Sequence, residues 1–189
     1  MDKTDIQVKK RGEILSWTMY DWANSAFATT VMAGFFPVFF KSYWAAGMPA
    51  TESTVRLGTA NAVASLSVVL LAPLLGVIAD RSGRKKGLLL MLATLGVLMS
   101  AGLFLAAEGY WLVAAGLYVL GVIGFAGANV SYDAMLLDVA DRSQLERVSA
   151  MGYALGYLGG GLLFAVNVLM VLYPEAFGLS DKTQAVRFA

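Results

Sequence analysis

Apolar residues run along this chain in long blocks, broken by short polar links, and not at the three-to-four spacing of a single buried helix face. Five blocks stand out, at 14–44, 57–79, 87–107, 111–135 and 148–173, and a sixth run starts at 185. Each is near or above about 20 residues, the length at which a helix crosses roughly 30 Å of hydrocarbon. Backbone groups in lipid must be satisfied within their own segment, so the blocks predict helices and not strands. The first block is apolar only from Trp22 onward and holds Pro37, which predicts a kink; Pro73 lies near the end of the second. The link Glu108-Gly109-Tyr110 leaves room only for a hairpin turn. The pattern therefore predicts an all-α membrane protein, with residues 1–13 as a tail and 14–189 as one transmembrane unit.

Composition agrees. The chain is 58% hydrophobic and 14% charged, with a mean hydropathy of +0.67, against about 45–50% and 25% in average proteins. The net charge of +1 says little, because in a membrane protein the placement of cations carries the information. Lys3, Lys9, Lys10 and Arg11 in the tail, Arg81, Arg84, Lys85 and Lys86 after the second block, and Arg142 and Arg147 after the fourth share one side. Lys41, Arg56 and Lys182 fall on the other. The positive-inside rule then predicts a cytoplasmic N-terminus, with Trp44, Tyr110, Trp111 and Tyr173 at the outer interface. A cleaved signal peptide would also begin with a basic tail. The first block is too long for one and no clear small-x-small cleavage site follows it, so it predicts an uncleaved span. Without cysteine there is no disulfide and no thiolate metal site. Without histidine, a proton-coupled step must use carboxylate, tyrosine or lysine. No cofactor, metal site or nucleic-acid partner is expected.

Three groups of residues are candidates for function. Between the second and third blocks lies Gly76-Val-Ile-Ala-Asp80-Arg81-Ser-Gly83-Arg84-Lys85-Lys86. Gly83 lets the chain turn tightly, and Asp80 is placed to accept hydrogen bonds from its own loop or to cap a neighbouring helix. The cations after it also serve as topology determinants facing lipid headgroups. In the first span Asp21, Asn24, Ser25 and Ala28 recur at helical spacing on one face. Polar groups within a span face the bundle interior or a water-filled cavity, so this stripe is a candidate substrate or coupling-ion path. Asp21 is only about 10 Å along the helix from Ile14, which also fits an interfacial carboxylate. Asn129 and Asp133 lie one turn apart in the fourth span. Asp133 is placed to titrate or to pair with Arg142 or Arg147, fixing the helix end. Asn61, Ser65 and Asn167 read as interhelical hydrogen-bonding groups. Gly152, Gly156 and Gly160 recur every fourth residue in the fifth span, a spacing that lets helix backbones pack closely.

The run Gly-x3-Asp-Arg-x-Gly-Arg-Lys at 76–85 resembles the loop signature of the major facilitator superfamily of secondary transporters. Two further stretches, Trp17-x2-Tyr20-Asp21-Trp22-Ala-Asn24-Ser25-Ala-Phe27 and Arg147-Val-Ser-Ala-Met-Gly152-Tyr-Ala-Leu-Gly156-Tyr-Leu-Gly159-Gly160-Gly161, resemble one branch of it. That branch is the bacterial "unknown major facilitator" family, related to fungal autophagy-linked vacuolar amino-acid effluxers. The resemblance implies a permease of the bacterial inner membrane that moves a small solute, amino acids among the candidates, with a proton or ion as coupling partner. It implies a twelve-helix fold of two halves, of which this chain holds the N-terminal five to six helices and lacks the C-terminal half. It also implies that Gly76, Asp80, Arg81, Gly83, Arg84 and Lys85 form a charge lock that breaks and reforms as the halves rock. Two other classes remain open. A non-catalytic scaffold would be built on the glycine faces, and an intramembrane enzyme would use Asp133, Asp138 and Asp141.

Overall fold

The computed structural model describes residues 3–189, with side chains from Lys10 onward except that of Ser82. The side chains of the tail cations Lys3 and Lys9, like Met1 and Asp2, lie outside the described residues. The first helix, α1 (Lys3–Ala26), begins within the segment expected as a tail. It runs on without a break into a π-helical stretch (Phe27–Phe35), α2 (Phe36–Phe39) and a second π-helical stretch (Phe40–Trp44). Then come α3 (Ala50–Ser82), α4 (Lys85–Leu105), α5 (Trp111–Val139) and α6 (Leu145–Leu172). A short 3-10 turn (Pro174–Phe177) leads to α7 (Lys182–Phe188), where the sixth run was expected to begin. Five of these segments are long and apolar enough to cross a membrane, the first of them Lys10–Trp44.

The irregularity at Pro37 takes a different form from a single bend. Proline has no N–H to donate and its ring crowds the carbonyl four residues back. The helix accommodates this by widening on both sides: the Phe36 N–H bonds to the Val31 carbonyl and the Ala45 N–H to the Phe40 carbonyl, each five residues back.

Helix α5 is the centre of the bundle, packed on α4 along one side and α3 along another, while α1 lies along α6. Glycine makes the first contact tight. A Cβ on Gly124 would fall 2.6 Å from the Gly96 nitrogen and 2.8 Å from the Leu92 carbonyl, so the backbones of α4 and α5 all but touch. At the end of the bundle that holds Trp44 and Trp111, Phe36 stacks on Tyr118 at 3.9 Å and Trp44 donates its indole N–H to the Ala106 carbonyl. The Tyr118 hydroxyl donates to Asn61 at 2.9 Å, an interhelical bond of the kind expected for that residue. At the opposite end Trp17 stacks on Tyr132 at 4.2 Å and its indole N–H donates to the Tyr132 carbonyl.

The outward faces are apolar. Leu70, Leu74, Leu98 and Leu105 are 58–78% exposed. In water such a continuous surface would drive aggregation; in a bilayer it is the solvated surface.

Candidate functional site

The polar stripe of α1 divides between two neighbours. Asp21 accepts a hydrogen bond from Ser25 at 3.3 Å, and both face α6 at Gly156. A Cβ there would fall 2.7 Å from Ser25 Oγ and 2.9 Å from Asp21 Oδ2, so only glycine admits the polar pair against the backbone of α6. Gly152 faces Trp17 and Gly160 faces Ser25 and Thr29 in the same way, with the Thr29 hydroxyl donating to the Gly160 carbonyl at 3.1 Å. Asn24 turns toward α5 instead and donates to Asn129 Oδ1 at 2.6 Å. The Tyr20 hydroxyl donates to Asn24 in turn. Asp21, Asn24, Ser25, Asn129 and Asp133 are thereby gathered where α1, α5 and α6 meet.

A cavity of about 290 Å³ opens at this junction, with Asp21, Asn129 and Asp133 on its wall. The expected pairing of Asp133 with Arg142 or Arg147 is not formed. Asp133 is exposed, neither arginine shares an ion pair with it among the described residues, and it borders the cavity with Asp21. The reason is rotational: Asp133 stands more than a turn before the end of α5, on the face toward α1 and α6, while the arginines stand beyond the helix end. A carboxylate within a span must find water or a polar partner, and the cavity provides the first.

Four polar or aromatic wall residues were not singled out as candidates from the sequence. Trp17 and Tyr132 look like ordinary core aromatics, and Ser149 and Tyr153 lie on α6, where glycine spacing dominates the pattern. Their signal is periodic: Trp17 precedes Asp21 by four, and Ser149 precedes Tyr153 by four. Each pair therefore shares a helix face.

The signature loop has a different geometry. Gly83 closes α3 in the left-handed conformation, with φ of 60°. Gly76 lies in α3 with open space where a Cβ would stand, and Arg84 precedes the first turn of α4. Asp80 and Arg81 are exposed and enter none of the ion pairs among the described residues. Lys85 does have a partner within the chain. Its ammonium donates to Asp138 Oδ2 at 2.8 Å and to the Ala134 carbonyl at 3.0 Å, joining the start of α4 to the end of α5. Lys10 pairs likewise with Asp141 at 2.7 Å. Asp138 and Asp141, the carboxylates of the enzyme alternative, are thus engaged by lysines, and among the described residues no acidic cluster is arranged to hold a metal ion.

Membrane-length helices around an internal polar junction define an all-α integral membrane protein. Residues 9–189 match the family described as "Vacuole effluxer Atg22 like", and the chain belongs to that family. It is 40% identical over 162 residues to the "Uncharacterized MFS-type transporter YxiO" of Bacillus subtilis (strain 168), a match covering 85% of this chain and 38% of that protein. It is 32% identical over 116 residues to the "Tetracycline resistance protein, class C" of Escherichia coli, covering 59% of this chain and 29% of that one. The chain thus spans well under half the length of these relatives. No solved structure matches it at a significant level. Membership of a transporter family, with Asp138 and Asp141 held by lysines, sets the enzyme alternative aside.

Proposed function

We infer that the full-length protein is a secondary active permease that moves a small solute by alternating access, and that this chain supplies one wall of its path. The observation that carries the proposal is the convergence of Asp21, Asn24, Ser25, Asn129 and Asp133 from two spans onto one polar junction. Lipid would strongly disfavour such a cluster, and a solute or coupling-ion path explains it. A transporter path also needs a wall opposite this one, which a second half-domain would provide. Amino acids are candidate solutes because the stretches at 17–27 and 147–161 resemble the branch related to vacuolar amino-acid effluxers, and the matching family is described as a vacuole effluxer. A proton or another ion is the coupling partner, with Asp21 and Asp133 as its carriers.

Asp80, Arg81 and Gly83 form the half of the charge lock carried by this chain, with Gly76, Arg84 and Lys85 shaping the loop. The exposure of Asp80 and Arg81 leaves them accessible to a partner surface. The cation bias supports a cytoplasmic loop and N-terminus, and the relatives' bacterial sources favour the inner membrane.

The test is uptake by full-length protein in proteoliposomes, across a panel of amino acids and other small solutes, with and without a proton or sodium gradient. Gradient-dependent, saturable movement of a solute is the expected result; no movement of any solute would overturn the proposal. Asp80→Asn should slow turnover while leaving solute affinity within about twofold, because it acts on the exchange between states and not on the path. Unchanged turnover and unchanged access-state populations would remove the lock.

A further inference from the structure

We propose that the π-helical stretch Phe27–Phe35 is a register switch: it converts to α-helix in a second state of the protein and so turns the outer half of the first span while the inner half stays in place. The inference rests on the permease reading for its part in the transport cycle. A π-helix usually occurs as a single turn inserted in an α-helix, whereas this one runs for nine residues. Pro37 frees the Ala33 carbonyl and explains widening beside it, but not a run that starts as far back as Phe27.

The first support is the Thr30 side chain. It is 2% exposed, and its hydroxyl is fully buried with no hydrogen-bond partner among the described residues. A threonine in an α-helix meets this need internally, by donating to the carbonyl three or four residues before it. Thr18, Thr54 and Thr59 do so in the α-helical parts of this chain, and Thr29 still reaches Ser25. Thr30, inside the wide stretch, does not reach its own counterpart, the Ala26 carbonyl. Buried hydroxyls are nearly always satisfied. One that regains its partner when the helix tightens marks a segment with two registers.

Gly34 is independent of that hydroxyl. A Cβ there would fall 2.9 Å from the Thr29 carbonyl, five residues back, and 2.5 Å from the Phe164 ring of α6. The first clash belongs to the wide helix itself, because a π-helix turns that carbonyl toward residue 34. The anchors on either side decide what conversion moves. The inner half is held to α6, where Thr29 donates to the Gly160 carbonyl and Gly152 and Gly156 admit Trp17, Asp21 and Ser25. The outer half is held elsewhere: Phe36 stacks on Tyr118 of α5, and Trp44 donates to the Ala106 carbonyl just past α4. Tightening the stretch passes the Phe36 N–H from the Val31 carbonyl to that of Met32. The outer half then turns off Tyr118 while the Asp21–Ser25 pair keeps its seat on α6.

Nitroxide labels on Leu15 and Val38, exposed residues on the two sides of the stretch, report its length in full-length protein in lipid nanodiscs. An α-helix has fewer residues per turn than a π-helix and rises further per residue, so conversion lengthens a separation of about 35 Å. Two distances should appear by double electron–electron resonance. Thr30→Val removes the orphan hydroxyl at nearly equal volume, so it should enrich the shorter distance severalfold and raise the melting temperature. Gly34→Ala, made together with Phe164→Leu to take the ring away and compared with Phe164→Leu alone, should enrich the longer one severalfold. Each of the two should also slow uptake in proteoliposomes severalfold across the same panel of solutes, because it holds the span in one register. A single distance that neither variant moves overturns the proposal, and so does a shift of both in the same direction. Uptake at the wild-type rate in variants whose distances have shifted overturns it as well. Transport of some solute with one unmoved distance removes the switch and leaves the permease; opposite shifts with no transport of any solute leave the switch and remove the permease.

Discussion

Lys85 and Asp138 form a 2.8 Å ion pair that joins the first turn of α4 to the last turns of α5. The lysine also donates to the Ala134 carbonyl, so it meets both the carboxylate and the negative end of the α5 dipole. Asp138 is more than half exposed, and such pairs contribute only about 0–1 kcal/mol. A double-mutant cycle of Lys85→Met and Asp138→Asn, read by thermal unfolding in detergent, should give a coupling near 0.5 kcal/mol. Lys85→Met should cost more than Asp138→Asn, because it alone also strips the helix end. Equal losses would mean that the carbonyl contact contributes nothing.

Asn24 and Asn129 should behave as a unit. Their amides meet at 2.6 Å between α1 and α5. Replacing either by leucine leaves the other unpaired and should destabilise the protein by about 1–2 kcal/mol. Replacing both should recover most of that loss, since membrane hydrogen bonds average only about 0.6 kcal/mol. Transport by the full-length double variant should remain impaired although its stability returns. Full recovery of both would make the pair a packing device with no part in the path.

Tyr118 offers a contrast away from the proposed path. Its hydroxyl donates to Asn61 across the α5–α3 contact, while its ring stacks on Phe36. Tyr118→Phe keeps the stack and removes only the donor, so the melting temperature should fall by the equivalent of about 0.5–1.5 kcal/mol. Solute affinity measured on the same preparation should stay unchanged. A change in affinity would extend the path toward the Trp44 end of the bundle.

Much of the architecture is visible in the sequence because lipid imposes one rule on every residue of a span. A block such as 87–107 has no soluble alternative, so its helix follows from length and composition alone. The site is less visible, because it depends on rotation between helices. Spacing puts Asp21, Asn24 and Ser25 on one face of α1, but not that Asn24 reaches α5 while the other two meet α6. Asp133 shows the same limit: proximity in sequence suggested Arg142 and Arg147, while helix phase turns it to the cavity. Tyr132 was beyond sequence reading for another reason. An unsatisfied hydroxyl is a property of its surroundings, not of its spacing.

Gly156 supplies the sharpest separation of packing from chemistry on α6. Its missing Cβ is the space that Ser25 Oγ and the Asp21 carboxylate occupy, at 2.7 and 2.9 Å from where that atom would be. Gly161, five residues on, has nothing within 4 Å. Gly161→Ala should be neutral or stabilising, by up to about 1 kcal/mol from helix propensity. Gly156→Ala must push α6 away from α1 or displace the Asp21–Ser25 pair, and overpacking of this kind costs about 1–3 kcal/mol. Thermal unfolding of the two variants side by side checks the stability difference. Solute uptake by the full-length variants then shows where the strain goes: loss of transport in Gly156→Ala, with Gly161→Ala unaffected, means that the backbone of α6 sets the position of the Asp21 carboxylate. Equal stability of the two variants would mean that the helices have room to separate, and that the glycine spacing does not hold the site in shape.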